Sequence, residues 1–344
     1  MAAKTEQKMI HQLSQLTFGI EIETVNMSRR AAAHVIASTI QGTYQYEGGY
    51  YDKHVAVAID GRKWVAMSDA SIGYSNAEIV SPILGYSDIP QLQEIVRALR
   101  RAGARVDHRC GIHIHIGAAP FNSKAIQRLA SYWNRQEEIL QRMFNCSTNR
   151  FSTWARPVSP RFLQEIENRP PQSRSDISRA WYGADGTAQQ RQHYNDTRYH
   201  ALNLHNIFFR GTIEFRCFDS TLHAGKIRAY VQFCLAIANK ALRGRWSQRS
   251  QAARRSYDPA TAKYDARTIL LRLNLSGDEF ATCRLHLTRH FAGGSNTAGT
   301  NGRRDRREHQ ARQAAAAQQP RDACPQQILA TRYRLVNLDD DTTN

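Results

Sequence analysis

Residues 16–23 run L-T-F-G-I-E-I-E. Apolar and polar positions alternate with a period of two, the pattern of a strand with one face in a core and the other outside it. Such a strand puts Glu21 and Glu23 on one face and Ile20 and Ile22 on the other. The same rule recurs in G-I-H-I-H-I-G (111–117), where His113 and His115 oppose Ile112, Ile114 and Ile116, and in I-E-F-R (213–216), where Glu214 and Arg216 oppose Ile213 and Phe215. Glu78 sits in a further strand pattern, 76–84. Each apolar face is suited to pack under helices, while each polar face presents groups that bind cations or phosphate.

The flanking sequence supplies those helices. Residues 29–40 carry Ala, Val and Ile at helical spacing, residues 89–102 carry Leu92, Ile95, Val96 and Leu99 before a stop at Gly103, and residues 123–144 form a long pattern with Ser123 as its cap. A further apolar helix is predicted over 224–242 and a helical pair over 268–291. Residues 55–59 and 63–67 read as a hairpin around Asp60-Gly61, 42–52 as irregular chain, and 199–208 and 211–218 as two strands. Residues 145–196 hold Pro157, Pro160, Pro170 and Pro171, show little periodicity, and read as an insertion or lid. Interspersed strands and helices with hairpins and no regular strand-helix-strand alternation predict an α+β fold on a largely antiparallel sheet. The predicted catalytic domain spans 1–292. Residues 293–344 read as a mostly disordered polar, basic tail with one short docked piece at 328–338.

Composition narrows the classes. With 344 residues, 41% of them hydrophobic, the chain can build a large core, and no apolar run approaches the ~20 residues of a bilayer crossing. The N-terminus lacks the apolar stretch of a secretory signal, so a cytoplasmic location is expected. Six cysteines lie far apart without zinc spacing and read as reduced thiols. The net charge of +17 implies attraction to polyanions. Arginines are denser at Arg97, Arg100, Arg101, Arg105 and Arg109, and at Arg243, Arg245, Arg249, Arg254 and Arg255, without a nucleic-acid motif.

Clustered carboxylates raise one another's pKa unless a cation holds them. Several carboxylates with an imidazole make a hard, oxygen-rich site that favours Mg²⁺ or Mn²⁺, and ATP usually accompanies it. Arg216 beside such carboxylates can neutralise a phosphate, or simply pair with Glu214. Asp69, in M-S-D-A-S-I, either holds a metal-bound water or positions an amine, or forms a turn.

These segments, in order along the chain, resemble the amidoligase family, a relative of the glutamate–cysteine ligases and glutamine synthetases. The blocks are F-G-I-E-I-E (18–23), W-V-A-M-S-D-A-S-I (64–72), E-I-V-S-P-I-L (78–84), C-G-I-H-I-H-I-G (110–117), R-Y-H-A-L-N-L (198–204) and T-I-E-F-R-C-F (212–218), with a later stretch at 270–287. The resemblance implies a curved, glutamine-synthetase-like sheet with helices on its outer face and with metals and ATP phosphates inside. It makes Glu21, Glu23, Glu78, His113 and Glu214 metal-ligand candidates and Arg216 the phosphate stabiliser. It also places Arg198, Tyr199 and Asn203 along a nucleotide or substrate pocket. Ala70 departs from the glycine that relatives carry, which leaves the loop of Asp69 less defined. The implied reaction is ATP- and Mg²⁺-dependent joining of a small-molecule or peptide carboxylate to an amine through an acyl phosphate, with a carboxylate or His115 accepting the amine proton and the insertion excluding water. Two alternatives stand beside it: a metal-dependent hydrolase using the H-x-H pair, and a basic nucleic-acid-binding protein with a vestigial site. Related folds assemble into rings, so an oligomer is open.

Overall fold

The alternation in F-G-I-E-I-E is realised as strand β1 (Phe18–Thr24), in which Phe18, Ile20 and Ile22 are each 1% exposed. A computed structural model describes residues 2–73, 76–183, 186–244 and 254–291. The predicted tail with its piece at 328–338, Cys324, and the basic positions Arg245 and Arg249 lie outside the described residues. Ahead of β1 runs α1 (Ala2–Leu13), and after it α2 (Arg29–Thr39), β2 (Thr43–Gly48), β3 (Lys53–Val57), β4 (Lys63–Met67), β5 (Ala77–Val80), α3 (Ile89–Arg101) and β6 (Gly111–Gly117). The second half holds α4 (Ser123–Phe144), the short helices α5 (Thr148–Thr153), α6 (Pro160–Asn168), α7 (Arg174–Tyr182) and α8 (Gly186–Gln189), and β7 (Leu202–Asn203). It closes with α9 (His205–Phe209), β8 (Thr212–Asp219), α10 (Ala224–Arg243), α11 (Ala262–Arg272) and α12 (Ala281–Thr288).

The eight strands form one sheet in the order β2-β3-β4-β5-β1-β6-β8-β7, and every neighbouring pair is antiparallel. The fold is therefore α+β on an antiparallel sheet, as the alternation and hairpins imply. One face carries Ile20, Ile22, Ile79, Ile112, Ile114, Ile116 and Phe215, all at most 1% exposed, and α2, α4 and α10 pack on strands of the sheet. Aromatic side chains fill the contact with α4 and α10: Trp133 lies 5.3 Å from Phe215, and Phe144 lies 4.8 Å from Phe218 and 5.0 Å from Phe233. Met1–Gly293 forms a single compact unit. No helix among the described residues is long and apolar enough to cross a membrane.

Several local readings differ. Residues 42–52 contain strand β2, whose residues are mostly exposed, so this edge strand shows no apolar alternation. Residues 199–208 alternate like a strand, yet only Leu202 and Asn203 pair with β8, and the rest turns into α9. The cap of α4 is Asn122, whose side chain accepts the Ala125 N–H, with Ser123 already inside the helix. The proline-rich region 145–196 is largely helical. Its helices are too short to display a 3.6-residue period, but Ser147, Ser159 and Ser173 each cap one by accepting a backbone N–H.

Glu137 ties α4 to this region: Trp133 Nε1 donates to it at 3.0 Å, the Val158 N–H at 3.1 Å, and Arg254 pairs with it at 2.7 Å. Burial pushes its carboxyl up to about 7 despite Arg254 and those donors. The folded chain thus holds a proton that the unfolded chain releases near 4.5. Stability from this group is present at low pH and is lost as pH rises through about 7, a loss on the order of 3 kcal/mol. Glu137→Gln should flatten the fall in melting temperature between about pH 5 and 8, and identical pH profiles for the two proteins would contradict the assignment.

Candidate active site

Antiparallel register turns scattered motifs into one cluster. Glu21 stands opposite His113, Glu23 opposite Glu78, His115 opposite Glu214, and Glu214 opposite Asn203, all on the face away from the isoleucines. Directly opposed residues have Cβ atoms about 5 Å apart, so their side chains meet. The ladder between β6 and β8 shifts between Ile112 and Ile114: Ile112 opposes Phe218 and Ile114 opposes Phe215, so Arg216 and Cys217 together face His113. Such a bulge bends the strand and re-aims a side chain. Here Arg216 reaches back to Glu214, with Nη1 2.7 Å from Oε1.

The distances define two possible cation positions. Glu21, His113 and Glu214 bring one donor atom each within 4.8 Å of one another, and so do Glu23, Glu78 and His113. His113 Nδ1 lies 2.8 Å from Glu21 and 3.7 Å from Glu214, while its Nε2 lies 4.0 Å from Glu23. A neutral imidazole has one lone pair, so a proton donated from Nδ1 to Glu21 leaves Nε2 for a cation beside Glu23 and Glu78. His115 Nε2 is 3.3 Å from Glu21, and its Nδ1 is 3.0 Å from the Thr212 hydroxyl.

Charge is unevenly compensated. Burial would raise Glu21, but the His115 charge and hydrogen bonds from His113 and His115 hold its carboxyl well below the usual range. Against burial, Arg216, His115 and His113 bring Glu214 down to about 2. His115 is raised, its burial outweighed by Glu21 and Glu214. Glu78 is the opposite case: burial, then Glu21, Asp69 and Glu23, push its carboxyl well above the usual range. Among the described residues Glu78 accepts no hydrogen bond although only 6% of it is exposed. A buried acid left unpartnered among other acids is costly, and a divalent cation would relieve both its desolvation and the repulsion. The donor set therefore fits Mg²⁺ or Mn²⁺.

The other candidates are placed less uniformly. Asn203 is 1% exposed; its amide donates to Glu214 at 2.5 Å and its carbonyl accepts the His205 N–H, so it orients a carboxylate. Arg198 and Arg216 flank Tyr199, at 5.1 and 5.7 Å from its ring centroid. Asp69 accepts the Ser71 N–H at 2.6 Å, forming a turn, while its charge bears on Glu23 and Glu78.

Three groups escaped the sequence reading. Asn206 donates to Glu214 at 2.6 Å. The Gly111 N–H donates to Glu23 at 2.6 Å. Buried Arg150 of α5 pairs with Asp219 at 3.2 Å and packs flat on Gly111, where an added Cβ would collide with its guanidinium. A G-I-H start hints at a close approach, but the arginine lies 39 positions away (150 − 111) and only the fold brings it there. Gly111→Ala should displace this buried guanidinium and cost about 1–3 kcal/mol, read as a lower urea midpoint. Adding Arg150→Met should recover much of that loss, and an unchanged midpoint for Gly111→Ala would refute the packing.

A family model described as "Putative amidoligase enzyme" matches residues 14–238, a span that contains every site residue named above. No curated protein sequence matches the chain. Among solved structures, the crystal structure of a bifunctional glutathione synthetase from Pasteurella multocida aligns with a TM-score of 0.43 and 11% identity, over 84% of this chain and 49% of that one. The chain thus spans about half the length of that protein.

Proposed function

Because the chain belongs to the amidoligase family, we propose that it joins a carboxylate to an amine in an ATP- and Mg²⁺-dependent reaction that passes through an acyl phosphate. The observation that carries this reading is the convergence of Glu21, Glu23, Glu78, His113 and Glu214 with Arg216 on one sheet face. The carboxylates and His113 would hold Mg²⁺, which would supply positive charge to offset that of nucleotide phosphates.

The protein's own groups then have separable tasks. Arg216 keeps Nη1 on Glu214, and its buried Nε has no partner among the described residues. That free N–H is available to oxygen on the transferred phosphoryl group and on the tetrahedral adduct. Asn203 and Asn206 fix Glu214, and the Gly111 N–H fixes Glu23, so these ligand oxygens need no reorganisation when a cation arrives. Proton removal from the attacking amine falls to Asp69, to His115 or to a neighbouring carboxylate. Of these, His115 must first give up the proton that Glu21 and Glu214 favour on it. Arg198 and Tyr199 contribute a cation and a ring to the nucleotide or substrate wall, and the helical region 145–196 shields the acyl phosphate from water.

The test is direct. Purified protein given ATP, Mg²⁺ and pooled amino acids or polyamines should release ADP in proportion to a new amide found by mass spectrometry. Metal-dependent cleavage of an amide or ester without nucleotide would instead establish a hydrolase.

A further inference from the structure

The carboxylate floor is bordered by cations that neutralise none of it by contact. Arg198 places its guanidinium 5.3 Å from the Tyr194 ring centroid and 5.1 Å from that of Tyr199, with Nη1 donating to the His193 carbonyl at 3.1 Å. Its Nε is buried without a partner, and no carboxylate pairs with it among the described residues. Arg210, exposed after α9, rests its guanidinium 5.8 Å from the Phe209 ring centroid. Among the described residues its side chain likewise has no ion pair or hydrogen bond. Its charge nevertheless bears on Glu78 and His115 in the floor and on Tyr51 and His193 at the rim.

His193 marks where the two cations converge. Its ring stacks on Phe209 at 5.3 Å, and burial followed by the charges of Arg210 and Arg198 lowers its pKa. Above it, the Tyr51 and Tyr194 hydroxyls meet at 3.2 Å, closing a contact between the β2–β3 loop and the chain after α8. A cationic, aromatic-walled rim with free N–H groups beside a carboxylate floor is complementary to an oxyanion held beyond the reach of the floor's cations.

We propose that Arg198 and Arg210, with His193, form a second subsite that binds an oxyanion group of a substrate, a phosphate or a carboxylate, at the rim of the acidic face. For the identity of that substrate the proposal rests on the ligase reading; for the existence of the subsite it does not. The two guanidinium groups supply charge-assisted donors, Tyr194 and Tyr199 hold Arg198 in place, and His193 becomes a third donor once an anion offsets the two neighbouring positive charges.

The probe is inorganic phosphate, followed by the imidazole resonances of His193 in the full chain and assigned with His193→Asn. Phosphate should raise the pH at which His193 titrates. Arg210→Met, at an exposed position, and Arg198→Lys, which keeps the charge but not the fork, should each weaken phosphate binding about tenfold. Mg²⁺ with ADP then separates the sources. Displacement of phosphate by ADP assigns the subsite to the nucleotide, and phosphate binding unchanged under saturating ADP assigns it to the carboxylic acid. No response of His193 to phosphate, or equal affinity in all three proteins, overturns the subsite. None of these readouts depends on amide formation, so failure of the ligase reading would leave this result standing, and the reverse.

Discussion

Glu78→Gln is expected to abolish cation-dependent turnover while leaving the metal-free protein as stable as its parent, or more so. Only 6% of Glu78 is exposed, it faces Glu23 across the ladder, and it has the Glu21 and Asp69 charges near it without a hydrogen-bond donor among the described residues. In the absence of a cation this carboxylate destabilises the fold, and glutamine removes the ionisation without changing the volume. On the proposed function the same carboxylate would ligate Mg²⁺ or Mn²⁺. The parent should therefore gain melting temperature on adding Mn²⁺, and Glu78→Gln should lose most of that gain. Amide formation should fall about 10³-fold or more, because cation stabilisation of the transferred group is worth several kcal/mol. A variant that keeps both the thermal shift and the turnover would remove Glu78 from the site.

The second large effect is at Arg216. Its pairing with Glu214 is buried, with 8% and 1% exposed, and Asn203 and Asn206 use the other carboxylate oxygen. Arg216→Met should cost about 3–5 kcal/mol in unfolding free energy, because it leaves a buried carboxylate without its cation. Glu214→Gln in the same chain should restore a large part of that stability, since neither charge is then stranded. Activity should not return in the double variant, which lacks both the proposed phosphoryl donor and the proposed Glu214 ligand. Recovery of both properties would make Arg216 a structural partner of Glu214 and nothing more. No stability recovery at all would show that the pair is not the source of the cost.

Much of this site was legible because strand alternation is a short-range rule. In F-G-I-E-I-E, G-I-H-I-H-I-G and I-E-F-R the apolar positions say which face is buried, and the acidic and imidazole groups must then share the other. Which pairs face one another was not legible, since register depends on strand order; Glu23 meets Glu78 across 55 positions (78 − 23) only because β5 pairs with β1. The bulge that leaves Arg216 and Cys217 together opposite His113 in the ladder has no local signature, as β8 reads as a regular strand. Arg150 and Arg210 were hidden for a different reason. In a chain with 47 lysines and arginines, one arginine does not stand out until its neighbours are known. Residues 199–208 misled because L-N-L alternates correctly for the two residues of β7 and the chain then coils at His205, where the Asn203 side chain accepts the backbone N–H.

Whether cations occupy the acidic face can be read by anomalous diffraction from crystals grown with Mn²⁺ and a non-hydrolysable ATP analogue. Manganese is expected between Glu23, Glu78 and His113, with Glu21 and Glu214 ligating a cation on the other side of His113 or orienting its ring. Manganese bound elsewhere, or no manganese while these side chains keep their present positions, would contradict this arrangement.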